Sequence, residues 1–405
     1  MKNGMKTGSA ILFLDKIMQR NGGPSTYLYN LRQGLRELND KTIKIVSVNN
    51  TRDYKTDRVL FYFDRAFKRK ENRLTYILFQ IIYVINDIEY KFCTRGTVRR
   101  VCSEKIVHVH HVSDAVCLKL AGHYKGKIVL TMHTPEAWSD EVVHVMQQHF
   151  KTQRKFGIIW GYQHLIEIIA CRFAEVFIFP SKEAEQIYLK HKFYNKVKRK
   201  KDVFYVITGV PFDKHKYDRA EIRKEFDIPQ DVFVLLFIGR HTEIKGYDLL
   251  VSGNAAFARN NIYVVCAGRE NELYSTKHFK QWKELGWQTN VNKLYDIADA
   301  VILPNRETYF DLAAIEALSR GRILIASATG GNKTLAKETK GVILFKPGQI
   351  NDMVSKVTEI KNMELLTKAE LEQENKMFFE KNCTTKQFAK NYLNIVYKIF
   401  NESNL

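Results

Sequence analysis

The sequence predicts an α/β protein made of two doubly wound parallel-sheet domains, and three observations predict it. The chain has 405 residues with 45% hydrophobic content, more than one core usually organises. Short apolar runs rich in β-branched and aromatic residues alternate with longer helix-like segments, the pattern of parallel strands covered on both faces. A polar stretch carrying Pro211 and Pro229 interrupts that rhythm near the middle.

In the first half the strand-like runs are "AILFL", "IKIVSV", "KIVHVHHV", "KIVLTMH" and "EVFIFPS". The first reads as a strand and not a signal peptide, because its five apolar residues reach Asp15 and Lys16 before any small-residue cleavage site. The longest apolar run, "LTYILFQIIYVI" at 74–85, falls short of the roughly 20 residues that cross a bilayer. "VFVLLFIGR", "IYVVCAGR", "ADAVILP", "GRILIAS" and "GVILFK" repeat the rhythm in the second half. The expected boundaries are an N-terminal domain over 1–208, a linker over 209–230 and a C-terminal domain over 231–385. A final helix over 386–405 is marked by Phe388, Tyr392, Ile395, Val396 and Ile399 at helical spacing.

Composition excludes several function classes. Cys93, Cys102, Cys117, Cys171, Cys266 and Cys383 are scattered, without a Cys-x-x-Cys pair or zinc-like spacing, so neither a disulfide framework nor a structural metal is expected. A cytoplasmic compartment fits, with attachment to the inner face of a cell membrane left open. The formal charge of +20 asks for an acidic partner: anionic lipid, nucleic acid, or an anionic polymer or phosphorylated substrate. Arg65, Lys68, Arg69, Lys70 and Arg73 form one basic cluster beside the long apolar run, and Lys196, Lys198, Arg199, Lys200 and Lys201 form another. The first resembles an interfacial segment and is equally readable as part of a buried helix.

Ligands of doubly wound sheets bind beyond the carboxyl ends of the strands, so polar residues just after strands are the candidates. "FIGRHTEIKG" puts Gly239 and Arg240 at a strand end and Lys245 five residues on, two cations able to converge on a diphosphate while glycine permits close backbone approach. "RNGGPSTYLYNLRQGL" sets Gly22 and Gly23 before a helix whose N-terminus favours an anion. "PNRETYFDLAAIEALSRG" carries Glu307 and Glu316 after an apolar strand. Each stretch alone is commonplace.

Their order and spacing together resemble the retaining family 4 glycosyltransferases of the GT-B fold, in which two Rossmann-like domains face a central cleft. The resemblance runs from "NGGPSTYLYNLRQGL" through "VHVHHVSD", "VLTMHTPE", "EVFIFPSKEAEQIY" and "TGVPFDKHKY". It is most specific at "IGRHTEIKGYDLL" and "ADAVILPNRETYFDLAAIEALSRGRILIASATGG". It implies that Arg240 and Lys245 hold the diphosphate of a nucleotide sugar, that Glu316 accepts hydrogen bonds from the ribose, and that His133 orients the donor sugar. Gly22, Gly23 and Gly239 would border the site, as would Phe310 and Leu312, the flanks of the segment the family writes "F-G-L". The donor is a co-substrate, commonly uridine-linked, and no metal or other cofactor is expected, in keeping with the lack of any Asp-x-Asp.

One departure stands out. The family separates its two glutamates by seven residues, whereas eight lie between Glu307 and Glu316, so strict spacing lands on Thr308 and places Asp311 where glycine is usual. Three readings stay open: Glu307 reaches the sugar through a bulge, Asp311 takes over the sugar hydroxyls with Thr308 assisting, or donor binding is altered in a non-catalytic partner subunit of another glycosyltransferase. The expected activity is transfer of a hexose or N-acetylhexosamine to a bacterial surface glycan such as a lipid-linked glycan, teichoic acid or exopolysaccharide. Nucleic acid is not an expected partner, since it explains the charge but not the strand-end residues. Sequence sets no oligomeric state.

Overall fold

The computed structural model describes residues 8–13, 23–47, 73–93, 95–269 and 279–402. The chain divides into two compact units. One takes the chain up to Phe179, then Glu185–Val206 and everything from Ala389; the other takes Pro180–Ala184 and Ile207–Phe388.

The first unit runs β1 (Ser9–Phe13), α1 (Gly23–Glu37), β2 (Ile43–Ser47), α2 (Arg73–Cys93), α3 (Arg95–Arg99), β3 (Ile106–Val109), α4 (Val112–Leu120) and β4 (Lys127–Leu130). It continues through α5 (Trp138–His149), α6 (Gly157–Phe173), β5 (Val176–Phe179), α7 (Lys182–Leu189), α8 (Lys192–Lys198) and β6 (Asp202–Tyr205). Its parallel sheet has the order β2-β1-β3-β4-β5-β6. β3 and β5 are buried at every position, as continuous apolar runs between two helical layers should be. The order reverses between β1 and β3, which makes the ends of those strands the switch point of this sheet.

The second unit opens with α9 (Arg219–Glu225), β7 (Phe233–Ile238), a single 3-10 turn (Glu243–Lys245), α10 (Tyr247–Arg259), β8 (Ile262–Ala267) and β9 (Trp282–Glu284). It goes on with α11 (Asn292–Ile297), β10 (Ala300–Leu303), α12 (Leu312–Ser319), β11 (Ile323–Ser327) and α13 (Gly330–Glu338). β12 (Val342–Phe345), α14 (Ile350–Asn362) and α15 (Leu365–Asn382) complete it, and the chain ends in α16 (Thr385–Asn401). The sheet order is β12-β11-β10-β7-β8-β9, all parallel, with its switch point between β7 and β10. Period-two alternation sorts the strand residues into two cores. Leu236, Val265, Val301 and Leu324 face one, while Leu235, Val264, Ile302 and Ile325 face the other.

Residues 209–230, read above as a linker, are built into the second unit. Asp218 caps α9 by accepting the Glu221 N–H at 2.8 Å, and Arg223, 1% exposed, donates to the carbonyls of Pro229, Gln230, Val232 and Ile297 and to Asp299. Pro229, one of the two prolines that marked the linker, lies in a turn that the buried Arg223 guanidinium holds together. At the other end, residues from Ala389 on count with the first unit although α16 begins at Thr385.

Candidate functional site

Two groups of side chains stand at strand ends, one in each unit: at the β7/β10 switch point of the second and after β3 and β4 of the first. In the second unit the loops after β7 and β10 are tied together. Gly246 has φ +68°, and a β-carbon there would overlap the Pro304 carbonyl oxygen, so only glycine fits after Lys245. The Arg306 N–H donates to Ile244 O at 3.0 Å across the same pair of loops. The loop after β11 joins them: Ser327 Oγ donates to Asn305 O, Gly331 N–H to Tyr309 O, and a β-carbon at Gly330 would overlap Thr308 O.

Within this frame Lys245, Asn305 and Asp311 meet. Lys245 Nζ donates to Asp311 Oδ2 at 2.6 Å and Asn305 Nδ2 donates to the same oxygen at 2.9 Å. Asp311 Oδ1 accepts the Ala313 N–H at 3.3 Å, so the carboxylate also caps α12. Burial alone would raise the Asp311 pKa; the Lys245 ammonium and the three hydrogen bonds outweigh it and hold the group below the usual carboxylate value. Asp311 is thus an anion with both oxygens engaged. Farther along α12, Glu316 Oε2 accepts the Tyr295 hydroxyl at 3.1 Å, and burial together with that carboxylate pushes the Tyr295 phenol up.

Gly239 and Arg240 follow β7 directly, and Arg240 is exposed. Glu307 is exposed on the loop after β10, whereas Thr308 is buried. Phe310 lies against Gly331, and with Leu312 it packs on the core under α12. Arg306 forms an ion pair with Asp248 of α10. Sequence reasoning passed over Asn305, although it follows β10 as Arg240 follows β7; Tyr295 gave no comparable signal. In the first unit Gly23 opens α1, while Gly22 lies outside the described residues, as do Arg65, Lys68, Arg69 and Lys70. In the second basic cluster Lys198 pairs with Glu185 and Lys201 donates to Arg172 O, leaving Lys196, Arg199 and Lys200 exposed.

His133 follows β4, and its Nε2 lies 2.9 Å from His110 Nδ1 after β3. Beside them the ring of His108 lies 4.1 Å from that of His110. Thr131 Oγ1 donates its one proton to Ile178 O at 2.8 Å, so it accepts from His108 Nε2–H, and His108 Nδ1 then accepts from Tyr392 Oη at 2.8 Å. His110 Nε2 is buried without a hydrogen bond. A lone pair is the cheaper group to leave there, which puts the His110 proton on Nδ1, donated to His133. Burial drives His108 and His133 down to about 3, and His110 well below its ordinary value, so the cluster is neutral at physiological pH. Among the described residues no three His, Cys, Asp or Glu side chains are arranged to hold a metal ion.

Comparison with known proteins bears on this arrangement. Residues 218–377 match the family model of glycosyl transferases group 1. A D-inositol 3-phosphate glycosyltransferase of Catenulispora acidiphila is 29% identical over 140 residues, 30% of this chain and 34% of that protein. The lipopolysaccharide 1,2-N-acetylglucosaminetransferase of Salmonella typhimurium is 31% identical over 129 residues, 27% and 34% of the two chains. The match therefore spans about a third of the length of these relatives. Among solved structures, sucrose-phosphate synthase of Thermosynechococcus elongatus superposes with a TM-score of 0.66 at 16% identity, covering 97% of this chain and 99% of its own. Anabaena HepE, solved with UDP-glucose, superposes with a TM-score of 0.64 at 13% identity, covering 96% and 99%.

Proposed function

We propose that this chain, whose residues 218–377 match the family model of glycosyl transferases group 1 and whose fold is GT-B, is a retaining, metal-independent glycosyltransferase. It moves a hexose or N-acetylhexosamine from a nucleotide-diphosphate sugar, uridine-linked by first choice, to a bacterial cell-surface glycan. Lipid-linked glycan, teichoic acid and exopolysaccharide are the acceptor classes, and the place of work is the inner face of the membrane. The observation that carries the reading is the grouping of Arg240, Lys245 and Glu316 around the β7/β10 switch point of that domain.

Chemistry at such a site needs positive charge where the leaving diphosphate gains negative charge. Arg240, exposed at the end of β7, offers a planar fork of donors, and Lys245 keeps two of its three N–H donors beyond the one Asp311 takes. Glu316 serves the ribose hydroxyls. Of the two carboxylates left open by the sequence, Glu307 is assigned to the donor sugar, because it is exposed while the Asp311 oxygens are engaged by Lys245, Asn305 and the α12 backbone. Asp311 instead positions Lys245. His133, neutral and held by His110, keeps the sugar-orienting role implied by the family pattern.

A second reading, a non-catalytic partner subunit, draws support from the same Lys245–Asp311 contact, since a cation neutralised by a carboxylate grips a diphosphate less strongly. The experiment that separates the two is a donor-hydrolysis screen with EDTA present, reading nucleoside diphosphate released from a panel of nucleotide sugars. Turnover of one donor by the wild type, abolished by Glu307→Ala and by Arg240→Ala, is the expected result. Failure of every donor to bind or turn over would leave the partner-subunit reading in its place.

A further inference from the structure

Helix α2 has two apolar faces, and among the described residues only one is packed into a core. Phe79 is buried, with Tyr76 and Tyr83 beside it, against Val142, Val143, Met146, Phe156 and Ile159. Gln80 Oε1 accepts the Ile158 N–H at 2.9 Å and so fixes the first turn of α6 to the middle of α2. The other face carries Leu74, Ile77, Leu78, Ile81, Ile85 and Ile88, spaced by three and four residues and therefore in one row. These six side chains are between 37% and 72% exposed. Single exposed aliphatics are ordinary on a protein surface, but a row along a 21-residue helix is not. Ile158 of α6, whose N–H Gln80 accepts, is also exposed.

Cations lie near both ends of α2. Arg154 lies 5.0 Å from the centre of the Tyr76 ring in the first turn, with Lys155 exposed next to it, and Arg95, Arg99 and Arg100 are exposed just past the C-terminus, against an exposed Glu89 on the helix itself. The charge selects the occupant. Two copies of a chain carrying +20 would bring like charges together at this face, whereas acidic headgroups would pair with them. No described helix is long and apolar enough to cross a membrane, and the inner face of α2 is already packed, so the helix lies along a surface instead of spanning it.

We infer that the outer face of α2 is a docking surface for an anionic lipid bilayer, its aliphatic row entering the boundary between headgroups and acyl chains. The inference rests on the membrane placement in the reading above and names the surface responsible. The test is cosedimentation of the full chain with phosphatidylcholine vesicles, with or without phosphatidylglycerol, for the wild type and an Ile81→Ser/Ile85→Ser double variant. The wild type should bind only the acidic vesicles and release as salt rises. The variant should bind about tenfold more weakly or worse while hydrolysing soluble donor as the wild type does. Wild type that ignores vesicles or binds both kinds equally, or a variant that binds undiminished, overturns the proposal. So does a wild-type dimer in analytical ultracentrifugation that the variant loses, since the face would then belong to a second copy. Vesicle binding without turnover of any donor would sink the glycosyltransferase reading and leave the docking surface standing; turnover without vesicle binding would do the opposite.

Discussion

Replacing Asp311 by asparagine removes one negative charge from the switch-point crevice while keeping an oxygen that can cap α12. A phosphate charge about 6 Å from the Asp311 carboxylate is repelled by ~0.7 kcal/mol at the dielectric of water and by ~3 kcal/mol at an effective value near 20. Lys245 is 27% exposed and Asp311 11%, so solvent screening moves the expectation toward the lower half of that range. Asp311→Asn should therefore bind free nucleoside diphosphate about three- to thirtyfold more tightly than the wild type. The Lys245 charge becomes available to the ligand, and loss of the ion pair lowers folding stability by about 1 kcal/mol. Isothermal titration with UDP, GDP and ADP at low and high salt reads the effect, with circular dichroism to check the fold. The gain should shrink at high salt. Equal or weaker binding by a folded Asp311→Asn at low salt would refute the idea that Asp311 restrains Lys245, and would return the carboxylate to the sugar.

Other expectations follow from single contacts. Gly246→Ala sets a β-carbon on the Pro304 carbonyl at φ +68°, and should lower stability by more than about 2 kcal/mol in urea titrations. Arg240→Ala, at an exposed position, should leave the melting temperature unchanged and reduce donor turnover about a hundredfold or more. Glu167 is buried beneath the start of α5, where it accepts from Trp138 N–H and Ser139 Oγ; burial raises its pKa to about 7 against those bonds. A carboxyl raised in the folded state favours folding below its unfolded pKa, and that contribution is lost as pH rises through the folded value. Stability should thus fall between about pH 4.5 and pH 7 by on the order of 3 kcal/mol, and Glu167→Gln should flatten this stretch of the profile.

The α/β alternation was legible because central parallel strands are buried on both faces and read as unbroken apolar runs, as "VFVLLFIGR" becomes β7. β6 and β9 escaped that reading because both are edge strands: "DVFY" is half exposed and "WKE" is only three residues long. Around the candidate site, Arg240, Lys245 and Glu316 were visible through motif spacing. The Asp311 contact was not, since it joins residues 66 apart and depends on where two separate strand ends emerge. The pairing of His110 with His133 has the same character, set by the parallel register of β3 and β4. The apolar run at 74–85 could be read as interfacial or buried from its composition, and one face of α2 is packed while the other is exposed, which periodicity reports but composition does not.

The backbone ties among the loops after β7, β10 and β11 set how this crevice can change. A designer who exchanges the 304–311 segment for one with a different sugar preference also moves the carbonyl that Gly246 abuts, and with it the lysine beside that glycine. The three loops therefore form one transplantable cassette, and chimeras that cut between them should lose donor binding even when every strand and helix is retained. Random libraries should be built across 239–246, 304–311 and 327–331 together, because compensating changes will be found between those loops more often than within any one of them.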